Sequence, residues 1–399
     1  MKKFNKFLSV AVASAMVMSM AGCGNTDNGS AATGTNAATE SAASGSVFKI
    51  GGIGPTTGGA AVYGLAVQHG AEIAVEEINA AGGINGYQLE FKFQDDEADA
   101  EKSVNAYNAL KDWGAQIIDG STTSGACIAV TDKTKEDNMF QITPSGSAVE
   151  CVQYDNNFRV CFSNPNQGLA SAQYIGENGL AEKIAVIYDS SDVYSSGIYE
   201  KFAKEAENQP FEIVAAEAFT ADNKTDFSVQ LQKAKDAGAD MVFLPIYYQE
   251  SALILTQAAA MGYAPKWFSC DGMDGILGGV DNFDVSLTEG VMLLTPFAAD
   301  ATDDLTQSFV TKYKEKYGET PNQFAADSYD AIYVIKAAIE KSGVTPDMSV
   351  SDICDGMKAA MTEITVDGLT GNGMTWTADG EANKAPKAVV IENGAYKAM

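Results

Sequence analysis

The sequence predicts an α/β protein of two lobes, each a doubly wound parallel sheet, joined by a multi-strand hinge with a ligand cleft between them. Three observations predict it. Short β-branched or aromatic runs alternate with helical patterns from Val47 to Thr143, and the alternation restarts at Lys183 and continues to Cys270. Helical patterns then fill most of the last quarter before a closing strand. Strands separated by helices make parallel sheets covered on both faces, and two successive series make two lobes. About 350 residues follow Ser46, large for one core and comfortable for two.

Residues 47–50 read as the first strand, running into a Gly-rich loop over residues 51–59. A helix is expected over 63–80, with Val67, Ala71, Ala74 and Ile78 on one face and Gly82-Gly83 ending it. A strand at 89–94, a helix at 100–112 and a buried strand at 116–118 follow. The next helix is 124–137 and the next strand 139–143. The second series places strands at 183–188, 212–218, 241–244 and 267–270, with a helix at 198–207, another on the face of Phe227, Leu231 and Ala234, and a third at 250–261. After a strand at 291–295, helices at 305–317, 324–341 and 350–361 lead to the strand 388–391. The expected division is 47–164 plus 296–371 for the first lobe and 165–295 plus 372–399 for the second.

The amino terminus is organised differently. Lys2, Lys3 and Lys6 precede an apolar run from Phe7 to Met18, too short to span a bilayer, and Met20-Ala21-Gly22 leads straight into Cys23. This resembles a bacterial lipoprotein signal (residues 1–22), which implies that the Cys23 thiol takes a diacylglycerol thioether. Plain secretion with an incidental cysteine is the alternative. Gly24 to Ser46 has no aliphatic residue beyond Ala and reads as part of a flexible tether (23–46) with a reach of roughly 25 Å.

Removing residues 1–22 takes three of the 26 basic residues and none of the 53 acidic ones, leaving a net charge of −30. Nucleic acid and anionic lipid are therefore not expected partners. No later apolar stretch approaches 18 residues. Besides Cys23 there are Cys127, Cys151, Cys161, Cys270 and Cys354, with no C-x-x-C pair and a single histidine, His69. No metal site is expected. Cys151 and Cys161 are spaced to bridge a short loop, but an odd total leaves a thiol free.

Gly52 to Gly59 is not a dinucleotide fingerprint: the spacing is wrong and Pro55 interrupts it. A catalytic triad would have to rest on His69 alone, so no enzyme and no cofactor is expected. The Gly120-Ser121-Thr122-Thr123-Ser124 stretch follows a buried strand and opens a helix, a natural seat for a carboxylate. Thr143-Pro144-Ser145-Gly146-Ser147 repeats the pattern after the next strand. Each alone could be no more than a helix cap; together they point to the crevice at the strand ends.

Gly54-Pro55, Tyr63-Gly64, Ile78-Asn79 with Gly82-Gly83-Ile84-Asn85-Gly86, Asp95-Asp96 and Thr143-Pro144-Ser145 resemble the leucine/isoleucine/valine-binding protein family. Phe158-Arg159, Gln167, Tyr194, Asp226-Phe227 and Gln257-Ala258 continue the likeness. These are extracytoplasmic binding proteins of amino-acid ABC importers with the type I periplasmic-binding-protein fold. The resemblance implies that Ser124 binds the ligand carboxylate, that Ser145 offers a carbonyl to the ammonium, and that Ser147 presents its N–H and hydroxyl. Tyr194 and Tyr247 would close over the ligand from the second lobe, Asp271 would pair with the ammonium where a relative has Glu, and Tyr63 would border the side-chain pocket. Ala98 and Thr123 stand where enteric relatives have a cystine. The expected protein is thus a monomer, anchored outside the cytoplasm through Cys23, that hands a neutral amino acid, branched-chain or aliphatic, to an ABC permease. An amide or urea-like ligand, or a sensor role with a signalling partner, are the alternatives.

Overall fold

The computed structural model describes residues 45–399. The expected signal peptide, Cys23 and nearly all of the tether lie outside the described residues. The chain runs β1 (Val47–Gly54), α1 (Ala61–Ala80), β2 (Gln88–Asp95), α2 (Ala100–Trp113), β3 (Ile117–Asp119), α3 (Ser124–Asp137), β4 (Phe140–Thr143) and β5 (Asn157–Arg159). These five strands form one sheet in the order β2-β1-β3-β4-β5, parallel throughout.

The next elements are α4 (Asn164–Glu177), β6 (Lys183–Asp189), α5 (Val193–Ala206), β7 (Glu212–Phe219), α6 (Ser228–Asp236), β8 (Met241–Leu244), α7 (Tyr248–Ala260), β9 (Lys266–Ser269) and β10 (Met292–Thr295). Then come α8 (Asp304–Tyr317), α9 (Gln323–Ser342), α10 (Val350–Met361), β11 (Lys387–Glu392) and β12 (Ala395–Ala398). The second sheet has the order β12-β11-β10-β9-β8-β6-β7. Its β11 and β12 run antiparallel, so this lobe is mixed at one edge rather than wholly parallel.

Several elements depart from the sequence expectation for physical reasons. Residues 51–54, expected as loop, complete β1 and are buried. A Cβ at Gly52 would strike the Phe93 ring and one at Gly54 the Thr122 hydroxyl, so the glycines serve close packing and not a turn. The strand β5 and the helix α4 are additions to the expected series; α4 starts on Ser163, whose hydroxyl accepts the Asn166 N–H, with Pro165 in its first turn. Helix α5 begins five residues before the expected start, capped by Asp192.

The chain crosses between lobes after β5, after β10 and before β11. Helix α9 lies along α1, and the segment following α10 stays with the first lobe. Trp376 Nε1 donates to the Arg159 carbonyl at 2.8 Å, and the Arg159 N–H donates to the Gly380 carbonyl at 3.0 Å. Lys384 pairs with Asp327 at 2.6 Å, both side chains buried. Residues 372–384 thus hold to the first sheet, beyond the boundary expected at 371. All five described cysteines are free and buried; Cys151 neighbours Cys127 beneath α3 and forms no bridge to Cys161. His69 stacks on Tyr317 at 3.6 Å on the flank of α1.

Candidate functional site

Loops from the carboxyl ends of β3, β4, β6, β8 and β9 converge between the sheets, where strand order reverses in both lobes. The first-lobe wall is the start of α3. The Ser124 hydroxyl accepts the N–H groups of Ser147 and Ala148, each at 3.2 Å. With both lone pairs taken, its proton is left as a donor, for Ser147 Oγ at 3.3 Å or for a group in the cleft. Thr123, the N-cap, makes no capping bond, and its buried hydroxyl has no hydrogen-bond partner. The first-turn N–H groups of α3 add donors with no helical acceptor. Arg159 braces this wall from behind, donating to the carbonyls of Gly146 at 3.2 Å and Ala148 at 2.8 Å.

The second-lobe wall centres on Asp271, which is 5 % exposed. Its Oδ1 accepts the Tyr194 hydroxyl at 2.6 Å and its Oδ2 accepts Gln167 Nε2 at 2.8 Å. The Gly272 N–H donates back to the Tyr194 oxygen at 2.8 Å. Any Cβ at Gly272 would come within 2.6 Å of that oxygen, which explains the glycine. Burial pushes the Asp271 carboxyl up to about 7; the bonds from Tyr194 and Gln167 oppose the rise, and the nearby Asp327 adds to it. Asp271 is thus a buried acid whose charged neighbour is another acid.

Aromatic rings close the site. The Tyr194 and Tyr247 rings stack at 5.0 Å, and Tyr63 lies 4.4 Å from Phe324 and 5.6 Å from Tyr247 between ring centres. From the first lobe, the Tyr63 hydroxyl donates to the Gly272 carbonyl and accepts the Tyr248 N–H at 3.2 Å. Gln323 Nε2, at the start of α9, donates to the Asp271 carbonyl at 3.0 Å. The lobes are therefore in contact, and the cavity left between them is only about 10 Å³, the threshold for one water molecule.

Of the residues expected from sequence, Tyr63, Ser124, Ser145, Tyr194, Tyr247 and Asp271 line this one cavity. Ser147 stands just behind, against Ser124. The Ser145 hydroxyl is engaged by the Thr122 carbonyl at 2.6 Å, which fixes its loop. Thr122 and Thr123, part of the stretch read as a carboxylate seat, line it as well. Sequence reasoning does not place Gly272 or Phe324 in the site, nor Gln323 beside it, and it gives Gln167 no role there. Phe324 and Gln323 come from a helix some 200 residues away in sequence from α3, and no local pattern marks them. Among the described residues, no three His, Cys, Asp or Glu side chains gather as a metal site would require. Nor is any described helix long and apolar enough to cross a membrane.

The family model described as periplasmic binding protein matches residues 47–395. The chain belongs to that family. A Leu/Ile/Val-binding protein homolog 3 of Brucella melitensis is 30 % identical over 300 residues, covering 75 % of this chain and 80 % of the relative. The leucine-, isoleucine-, valine-, threonine- and alanine-binding protein of Pseudomonas aeruginosa is 30 % identical over 303 residues, with 74 % and 79 % covered. Among solved structures, the branched-chain amino acid transporter substrate-binding protein LivJ of Streptococcus pneumoniae, in complex with isoleucine, superposes with a TM-score of 0.79. It is 28 % identical and spans 88 % of this chain and 99 % of its own. In this periplasmic binding protein, the donor-rich α3 terminus and the buried Asp271 face each other across the interlobe cleft of the type I fold.

Proposed function

We propose that the protein captures a free, neutral α-amino acid between its lobes, with leucine, isoleucine and valine the best fits, and that an ABC permease receives it from the closed form. The observation that carries this reading is the opposition of Asp271 on one lobe to the hydroxyl and N–H donors at the start of α3 on the other. A zwitterion needs both: donors for its carboxylate and an acid for its ammonium. The cavity lining contains no basic side chain, and apart from the hydroxyl residues, Asp271 and Gly272 it is aromatic, which suits an uncharged side chain. The names of the relatives support the same ligand class.

A cavity of about 10 Å³ cannot hold an amino acid. Admission therefore requires Tyr63 to move or the lobes to part, and the crossings near residues 160–164, 296–303 and 384–387 are where such a motion would bend. In this reading the protein works as a monomer outside the cytoplasm, held to the membrane by lipid on Cys23. A thermal-shift screen against the twenty amino acids tests the function. A ligand at 100 times its Kd adds about 2.7 kcal/mol of apparent stability. Stabilisation by leucine, isoleucine and valine is the expected result; stabilisation by glutamate or arginine alone overturns it.

A further inference from the structure

Beside the cleft lies a second cavity of about 500 Å³, within the size range of small-molecule sites. The first lobe contributes Val62 and Leu65 of α1, the second lobe contributes the loop from Asp274 to Gly279, and Phe297 enters from the crossing after β10. The loop lies against α1 because two of its residues lack side chains. A Cβ at Gly275 would come within 2.7 Å of a Val62 methyl group and one at Gly279 within 2.5 Å. Gly278 faces open space.

The charge around this cavity is one-sided. Asp274, Asp300 and Glu319 line it against one base, Lys314. Asp274 is 4 % exposed; its Oδ2 accepts the Gln323 N–H at 2.9 Å, while its buried Oδ1 has no short hydrogen bond and the Tyr396 hydroxyl of the same wall is the polar group beside the carboxyl. Burial raises its pKa, with hydrogen bonds from the Gln323 N–H and the Tyr396 hydroxyl opposing the rise and no cation beside it. Neither Asp274 nor any other wall residue of this cavity belongs to the amino-acid clamp proposed above.

We propose that this cavity is a second ligand site, for a small protonated amine with an apolar body. The ammonium is drawn to the acidic rim of Asp300 and Glu319 and reaches Asp274 by displacing the Tyr396 hydroxyl, and the hydrocarbon lies on Val62, Leu65 and Phe297. Such an amine binds the closed arrangement, because only closure brings the α1 wall and the 274–279 wall together. Gln323 joins the two cavities directly, with its N–H on Asp274 and its side chain on the Asp271 carbonyl. By reciprocity, an amine that favours closure tightens binding in the main cleft. The site itself stands whatever the main cleft takes.

The probes are phenethylamine and hexylamine, with 3-phenylpropionate and hexanoate as controls of opposite charge, measured by titration calorimetry and saturation-transfer NMR. The amines are expected to bind and the carboxylates not to. Gly278→Phe fills the cavity and should abolish amine binding while leucine binding is retained. Should that variant fail to fold, Leu65→Trp blocks the same space from the helix side. Asp274→Asn should weaken the amines by about tenfold or more. Absence of amine binding at millimolar concentration, equal binding of the carboxylates, or undiminished amine binding by a folded blocking variant would each overturn the proposal.

Discussion

Replacing Asp271 by Asn separates the binding role of this residue from any role in the fold. The shape of the side chain survives the change: the amide oxygen still accepts the Tyr194 hydroxyl, and Gln167 can flip its own amide to meet the new NH₂ group, giving up the weak 3.4 Å bond its oxygen accepts from the residue 271 N–H. What is lost is the charge. Ionising Asp271 in its buried setting is already disfavoured, since burial pushes it up to about 7. The unfolded chain therefore releases this proton at a lower pH than the native protein does, and native stability falls as pH rises from about 4 to about 7. The Asp271→Asn change removes that penalty, so the melting temperature of the free variant at pH 8 should equal or exceed that of wild type. Binding should move the other way. Deleting one member of a buried, hydrogen-bonded charge pair costs about 2–5 kcal/mol, a loss of roughly 30-fold to several thousand-fold in affinity. Titration calorimetry with leucine, beside melting curves at pH 8, reads both quantities. Leucine affinity within about threefold of wild type would remove Asp271 from the clamp and return it to the role of a turn residue before glycine.

The same carboxyl sets a pH dependence. Leucine affinity should fall as pH drops below about 7, approaching tenfold per pH unit, and Asp271→Asn should flatten the profile; a profile unchanged between pH 5 and 8 in wild type refutes the pairing. Tyr63→Phe loses the hydroxyl that bonds Gly272 and Tyr248 across the lobes, so leucine affinity should weaken by about tenfold with the melting curve little changed; unaltered affinity would show that this bridge contributes nothing to closure. Cys23→Ala should leave the chain unacylated and in the aqueous phase of a detergent partition, still able to bind leucine; retention in the detergent phase contradicts lipid anchoring through that residue.

Most of the fold is legible because the alternation of strand and helix is written in apolar spacing, and helices such as 124–137 and 350–361 carry clear starts. The misses have specific causes. Residues 51–54 contain three glycines and resemble a loop, yet the small residues are what the crowding by Phe93 and Thr122 demands. The strand 157–159 is three residues long and two of them are polar, so no period can develop. Helix α4 opens on a Ser-Asn-Pro cap that is there to be read. In the site, hydroxyls clustered at the end of a strand betray a donor-rich wall. Phe324 and Gln323 leave no such trace, because only the packing of α9 along α1 brings them to the cleft. Thr123 is half legible: it falls in the hydroxyl-rich stretch read as a carboxylate seat, resemblance assigns the position to a missing cystine, and its buried, unpartnered hydroxyl is visible only in three dimensions.

Closure and affinity are linked through contacts that already exist. Tyr63 holds Gly272 and Tyr248, and Gln323 holds Asp271 and Asp274, so the lobes touch through hydrogen bonds of their own. These bonds act twice. They stabilise the closed arrangement that a ligand requires, which raises apparent affinity by increasing the competent fraction. They also fill the place a ligand would take, since Tyr63 and Phe324 leave room for about one water. A ligand must therefore exchange these contacts for better ones, and the unpaired Thr123 hydroxyl and the protonation-prone Asp271 are where better ones are available. An unliganded closed form competes with the liganded one for any partner that reads shape alone. Asp271 supplies a way to tell them apart: with an ammonium beside it the carboxyl is ionised, and without one it is about half protonated near pH 7. Leucine binding at pH 6 should then release close to one proton, measurable as a buffer-dependent enthalpy, and Asp271→Asn should release none. A binding enthalpy independent of the buffer would mean that the ammonium finds its counter-charge elsewhere.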